Sequence, residues 1–174
     1  MDVAADVGLL QAIAARALEA AVPAAGAIGK TYEHQLKDVT LTESGSHGPA
    51  TRAGYPPSAP PGRPPMQMTG HLADSVEMFG PTGGGGIGYS SVSPDTIYAA
   101  TQQWGGDHEP VNGPYMWLWV RYVGAQAVAR MNWRKTIVHI ESRPYMTIAL
   151  AESIATGELQ AAGADAFEAA VWGA

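Results

Sequence analysis

Apolar and polar positions alternate in ways that divide the chain into elements. Leu10, Ile13, Ala14, Ala17 and Leu18 recur at helical spacing while Asp6, Arg16 and Glu19 lie off that stripe, which predicts a helix over residues 3–22. Asp2 and Asp6 suit its positive N-terminal end. Pro23 and Gly26 are expected to kink or end this helix, because an interior proline removes a backbone donor and crowds the preceding turn. The pattern then resumes: Ile28, Tyr32 and Leu36 fall at i, i+4 and i+8, predicting a second segment over 27–38. Together these make a kinked N-terminal helix, 3–38.

From Thr42 to Pro65 the pattern disappears. Seven of the thirteen prolines fall in this stretch, among serine, glycine and histidine, so neither helix nor central strand is open to it. An extended Pro-rich arm over 42–68 is the expectation, and a loop of that length in one domain usually has a task. Beyond it, Thr69-Gly70 is turn chemistry, Ser75–Phe79 reads as a strand, Gly83–Gly86 as a flexible turn and Ile87–Val92 as the partner strand of a hairpin. Ser93-Pro94-Asp95 looks like a helix start, and the short helix that follows should close at Gly105 and Gly106.

In YMWLWVRYV, residues 115–123, both alternating faces are largely apolar, as in a central or interface strand. RKTIVHIES predicts another strand, completing a sheet region over 69–142. A last helix over 144–172 opens at Pro144, carries Met146, Leu150 and Ile154 four apart, and is interrupted at Gly157. The sum is an α+β fold: one domain, 1–174, with long terminal helices on a small, mostly antiparallel sheet and an extended Pro-rich arm.

Composition narrows the function. The formal net charge is -6, so the basic face of a sequence-reading nucleic-acid binder is missing. Cysteine is absent, which removes disulfides, thiolate metal sites and a cysteine nucleophile. No apolar run is expected to approach the roughly 20 residues that span a bilayer, and MDVAADVG is acidic where a signal peptide is basic. No membrane partner and a cytosolic site of synthesis are therefore expected.

Candidate chemistry is sparse. His34, His47, His71, His108 and His139 share no metal-ligand spacing, so solvated or structurally bonded imidazoles are expected and no metal or cofactor is called for. Asp107-His108-Glu109 crowds one imidazole with two carboxylates, the one constellation a hydrolase could use, although a turn explains it equally well. Gly88-Tyr89-Ser90-Ser91-Val92 lacks the second glycine of a nucleophile elbow. YPPSAPPGRPP has the form of a polyproline ligand for an aromatic groove, or of a stiff arm lying across a neighbour, which makes Pro60 and Pro61 candidate contacts; Trp117 and Trp119 are candidates for core or subunit interface.

Three segments in order then carry a resemblance: PPGRPPMQMTGHLADSV (60–76), IYAATQQWGG (97–106) and RPYMTIALAES (143–153). They resemble the tail-completion, or head-to-tail joining, proteins of long-tailed double-stranded DNA bacteriophages. The match rests on Gly62, Pro64, Pro65, Thr69, Gly70, Leu72 and Ser75, then Tyr98, Ala99 and Gly105, then Arg143, Pro144, Tyr145, Ala149 and Leu150. His71 stands where a basic residue is common, Gln103-Trp104 replaces Glu-Phe, and Tyr145-Met146 replaces Phe-Leu.

The resemblance implies a structural virion protein with no enzymatic activity and no cofactor. It implies a homo-oligomeric ring, a hexamer, in the neck between head and tail, assembled in the host cytoplasm. Its partners would be copies of itself, the head-completion (stopper) ring, the tail-terminator or tail-tube proteins, and genomic double-stranded DNA passing through the lumen. An acidic subunit is compatible with a channel that must not grip phosphates. A tail terminator or head-completion protein of the same connector is the alternative, followed by a Pro-rich adaptor and the histidine-dependent hydrolase.

Overall fold

The computed structural model of the chain describes residues 3–41, 62–65, 71–96, 98–108 and 138–173. The elements are α1 (Val3–His34), a π-helical continuation Gln35–Thr40, the single turn α2 (His71–Asp74), β1 (Val76–Gly84), β2 (Ile87–Pro94), α3 (Ala99–Trp104), β3 (Gly106–His108), β4 (Val138–Ile140), α4 (Tyr145–Thr156) and α5 (Glu158–Trp172). The fold is α+β: long helices with two antiparallel two-stranded sheets, β1 with β2 and β3 with β4. Most of the Pro-rich arm and all of the Trp-rich stretch, with Trp117 and Trp119, lie outside the described residues.

Two expectations for the N-terminal segment are corrected. Pro23 neither ends the helix nor divides it in two; α1 runs through it to His34. An interior proline costs about 3 kcal/mol, and tertiary packing offsets it: α1 is held by α5 and by both strands of the hairpin. The second correction concerns hydropathy. The helical span Val7–Thr40 is long and apolar enough, by length and composition, to cross a membrane, contrary to the expectation that no run approaches that length. Alanine carries it, since Arg16 and Glu19 are the only charges between Val7 and Gly29.

The expected hairpin forms with shifted bounds: β1 starts at Val76 and runs on through Gly83-Gly84, which leaves Gly85-Gly86 as the turn, and β2 continues through Ser93-Pro94, read from sequence as a helix start, so that α3 begins only at Ala99. Val76 faces Pro94 and Gly84 faces Ile87, with a register shift between Phe79 and Thr82. Side chains alternate across it, so Gly88, Ser90 and Val92 turn inward while Ile87, Tyr89 and Ser91 are exposed. The inward face lies on the backbone of α1. A Cβ at Gly88 would stand 2.9 Å from the Cα of Val22, one at Gly26 would stand 2.9 Å from the Pro81 ring, and the Ser90 hydroxyl donates to the Ala25 carbonyl at 2.8 Å. Gly26 is therefore a packing residue here and no helix terminator.

The core gathers where α1 becomes π-helical. Leu36, Leu41, Ala73, Val76, Tyr145 and Ala149 form one buried cluster, with Tyr32, Leu72, Val92 and Met146 packed against it. Of the stripe Ile28, Tyr32 and Leu36, the last two reach this core. In the C-terminal segment the buried positions are Tyr145, Ala149 and Ser153 on α4, whereas Leu150 and Ile154 are exposed. The apolar spacing Met146, Leu150, Ile154 thus does not mark the buried face of α4; Ser153 can occupy it because its hydroxyl donates to the Ala149 carbonyl at 2.9 Å. Gly157 takes a left-handed conformation (φ 77°, ψ 5°) and separates α4 from α5 as expected. On α5, Gly163 lets the Ile28 side chain of α1 approach closely.

Candidate functional site

The three segments that carry the family resemblance meet at one place. Arg143 ends the loop after β4, and its backbone N–H donates to the Gln102 carbonyl on α3 at 2.7 Å. The next residues start α4, whose first turn has free N–H groups and no side-chain cap from Pro144. Gln103 supplies the missing acceptor from α3. Its Oε1 accepts the Met146 N–H at 3.0 Å, and its Nε2 donates to the Thr147 hydroxyl at 3.1 Å. Ser142 closes the contact from the other side, donating to the Gln103 carbonyl at 2.9 Å. Gln103 is only 3% exposed, so this amide is a buried strut that caps one helix from another.

Tyr145 adds a second strut. Its ring is fully buried and its hydroxyl donates to the Ala99 carbonyl at 3.3 Å; Tyr32 of α1 likewise donates to the Met146 carbonyl at 2.8 Å. Burial pushes the Tyr145 phenol up to about 12, with the charges of Tyr32 and Tyr98 adding to the effect, and burial also raises that of Tyr32. These phenols are held neutral, as donors, and so are unsuited to act as bases. Gly105 ends α3 with φ 69°, ψ −159°, and a Cβ there would stand 2.6 Å from the Ile140 carbonyl oxygen and 2.7 Å from the Ser142 N–H nitrogen. The motif needs glycine at this position because β4 and its exit pass directly against it.

The first segment joins at two points. The Gly62 N–H donates to the Ser142 carbonyl at 3.1 Å, and Pro64 is buried with Pro65 half-buried beside it. Further on, the Ser75 hydroxyl donates to the Leu72 carbonyl at 2.8 Å and the Ser75 carbonyl accepts the Asp95 N–H at 2.9 Å, fixing the entry and exit of the hairpin. The stretch after Thr69-Gly70 therefore enters the sheet through a helical turn, with His71 tilted towards the Tyr98 ring at 6.3 Å between centroids. Thr69, Gly70, Pro60 and Pro61 lie outside the described residues. The Arg143 guanidinium reaches the Gln102 side-chain oxygen at 3.4 Å. Leu150 is the one matched residue of the third segment that points to solvent.

The acidic and imidazole groups of β3 and β4 pair differently from their order in sequence. Asp107 faces His139 across the strands, and the His139 Nδ1–H donates to its carboxylate at 2.6 Å, with Glu141 at 3.7 Å from the other ring nitrogen. The hydrogen bond to Asp107 raises the His139 pKa, and the charges of Asp107 and Glu141 act in the same direction. All three side chains are exposed, so this is a solvated cross-strand pair. Glu109 and the His108 side chain lie outside the described residues, so Asp107-His108-Glu109 is not assembled by what is described. Nothing in the sequence pointed to His139 as the partner of Asp107; strand register was needed.

Among the described residues no group of three or more histidine or carboxylate side chains is placed to hold a metal ion. Gln103, in sequence only a departure from the family pattern, carries a capping role that no local signal announces, because its partners Met146 and Thr147 lie on another helix. Comparison with protein-family models, with curated proteins and with solved structures finds no match to this chain.

Proposed function

We propose that the chain is a structural protein of a phage neck, one subunit of a ring that joins the tail to the DNA-filled head and lets the genome pass. The observation that carries this reading is the convergence of its three motif segments. Each is short and weak alone, and they are far apart in sequence. The second and third bond directly to one another between α3 and the start of α4, and Gly62 of the first joins them through Ser142, the residue just before the third. The unit consists of buried amide, phenol and glycine contacts that fix architecture, as a ring subunit requires.

The tail-terminator and head-completion roles belong to the same connector and would use the same architecture. The position in the neck is tested by electron microscopy of a lysate from a phage carrying a nonsense mutation in this gene. DNA-filled heads beside separate, complete tails are the expected result. Joined particles of normal appearance, or an absence of heads, would overturn the joining role, and tails of uncontrolled length would move the protein to the terminator position.

A further inference from the structure

We propose that Trp104 is the seat of a polyproline segment, and that the occupant is residues 55–61 of this same chain, YPPSAPP, which lie outside the described residues. Trp104 ends α3 and is 74% exposed, more than any other large apolar side chain among the described residues. The helix is anchored without it, through buried Ala99 and Gln103. An indole left at the surface offers a flat, rigid apolar face, the feature by which aromatic sites take up proline rings.

The chain brings a matching segment to this spot. After the Pro-rich stretch the next described residue is Gly62, whose N–H donates to the Ser142 carbonyl at 3.1 Å; the Ser142 hydroxyl donates to the carbonyl of Gln103, the neighbour of Trp104, at 2.9 Å. Two hydrogen bonds thus tie the end of the arm to the residue before the indole. Pro64 is buried and Pro65 half-buried, so a seat for residues 55–61 would continue a contact that the arm already makes. Those seven residues hold Pro56, Pro57, Pro60 and Pro61 and no charge, and IYAATQQWGG around the indole has none either. Docking therefore strips water from no ion. As a polyproline helix the segment would be roughly 20 Å long, enough to cross from Gly62 to the indole, and Pro57 and Pro60, three residues apart, would share one edge of it. Such a helix is stiff before it docks, so it loses little entropy in doing so. The chain's own arm is favoured over any free ligand because a short tether holds it at millimolar effective concentration. The inference goes beyond the neck reading and does not rest on it.

The test is hydroxyl-radical footprinting of the purified full chain, with the oxidation of each tryptophan read by mass spectrometry. Trp172, 66% exposed at the end of α5, is the internal reference. In wild type Trp104 should oxidise roughly fivefold more slowly than Trp172, as expected when a tethered segment holds its seat most of the time. In an arm variant carrying Pro56→Ser, Pro57→Ser, Pro60→Ser and Pro61→Ser the two rates should become alike, with the circular dichroism spectrum unchanged. A synthetic peptide of residues 53–63, added at millimolar concentration, should restore protection of Trp104 in that variant. Equal rates in wild type would overturn the proposal, and this comparison needs no variant to fold. Protection that survives in the arm variant would also overturn it, because something other than the prolines would then cover the indole. Protection of wild type that is lost on dilution would hand the seat to the arm of a second copy and overturn the assignment to the chain's own.

Discussion

Replacing Gly105 by alanine adds one methyl group at the point where α3, β4 and the start of α4 come together. Two costs add. The backbone there has φ 69° and ψ −159°, a region open in practice to glycine alone, and holding another residue in it costs of order 1–3 kcal/mol. The new carbon would also stand 2.6 Å from the Ile140 oxygen, 2.7 Å from the Ser142 nitrogen and 3.1 Å from the Glu141 carbonyl carbon. These are backbone atoms, so the clash is relieved only by moving the strand exit, at roughly 1–3 kcal/mol more. A combined loss near 4 kcal/mol is a large share of the 5–15 kcal/mol typical of a whole domain. For a chain of this size it lowers Tm by about 8–16 °C. Gly157→Ala is the control: it too sits at positive φ, 77°, but nothing lies within 4 Å of the added carbon, so only the left-handed cost of roughly 1–2 kcal/mol applies. Thermal unfolding of both variants followed by circular dichroism decides the matter. A Gly105→Ala Tm within two or so degrees of wild type, or a Gly157→Ala loss just as large, would refute the account of this junction.

Other expectations can be checked alongside it. Gln103→Leu keeps the volume but leaves the Met146 N–H and Thr147 hydroxyl without their partner, so denaturant unfolding should give a loss of about 2–4 kcal/mol, while Gln102→Leu, which is only half-buried, should cost less. The His139 pKa, read from its ring proton shifts by NMR, should lie above the ordinary 6.5 and fall back in Asp107→Asn. Its folded value is the raised one, so the stabilising contribution of the pair is fully present below about 6.5 and is lost as pH rises through the folded value. In an alkaline absorbance titration Tyr145 should ionise near 12, and its stabilising contribution is fully present below pH 10, the ordinary value, and is lost as pH rises from there through the folded value of about 12; a full complement of phenolates at pH 11 in the folded protein would contradict its burial.

Local pattern alone determined the elements with strong local causes. The hairpin follows from alternation on either side of the glycine run that turns at Gly85-Gly86, the end of α3 from Gly105, the α4–α5 boundary from Gly157, and the α+β class from their order, because turn chemistry and periodicity act over a few residues. Where local and distant forces compete, only the tertiary structure decided. Pro23 reads as a kink or an end, yet packing against α5 and the hairpin carries α1 through it. Gly26 reads as a breaker, yet the hairpin needs its missing side chain, and that of Gly29, in order to approach. Leu10, Leu18, Leu150 and Ile154 read as core by their spacing, but periodicity says only that apolar residues share a face and cannot say whether anything covers it. The same limit hid Gln103 capping α4 and Asp107 choosing His139, since each partner lies more than thirty residues away and is brought near only by strand register and helix packing.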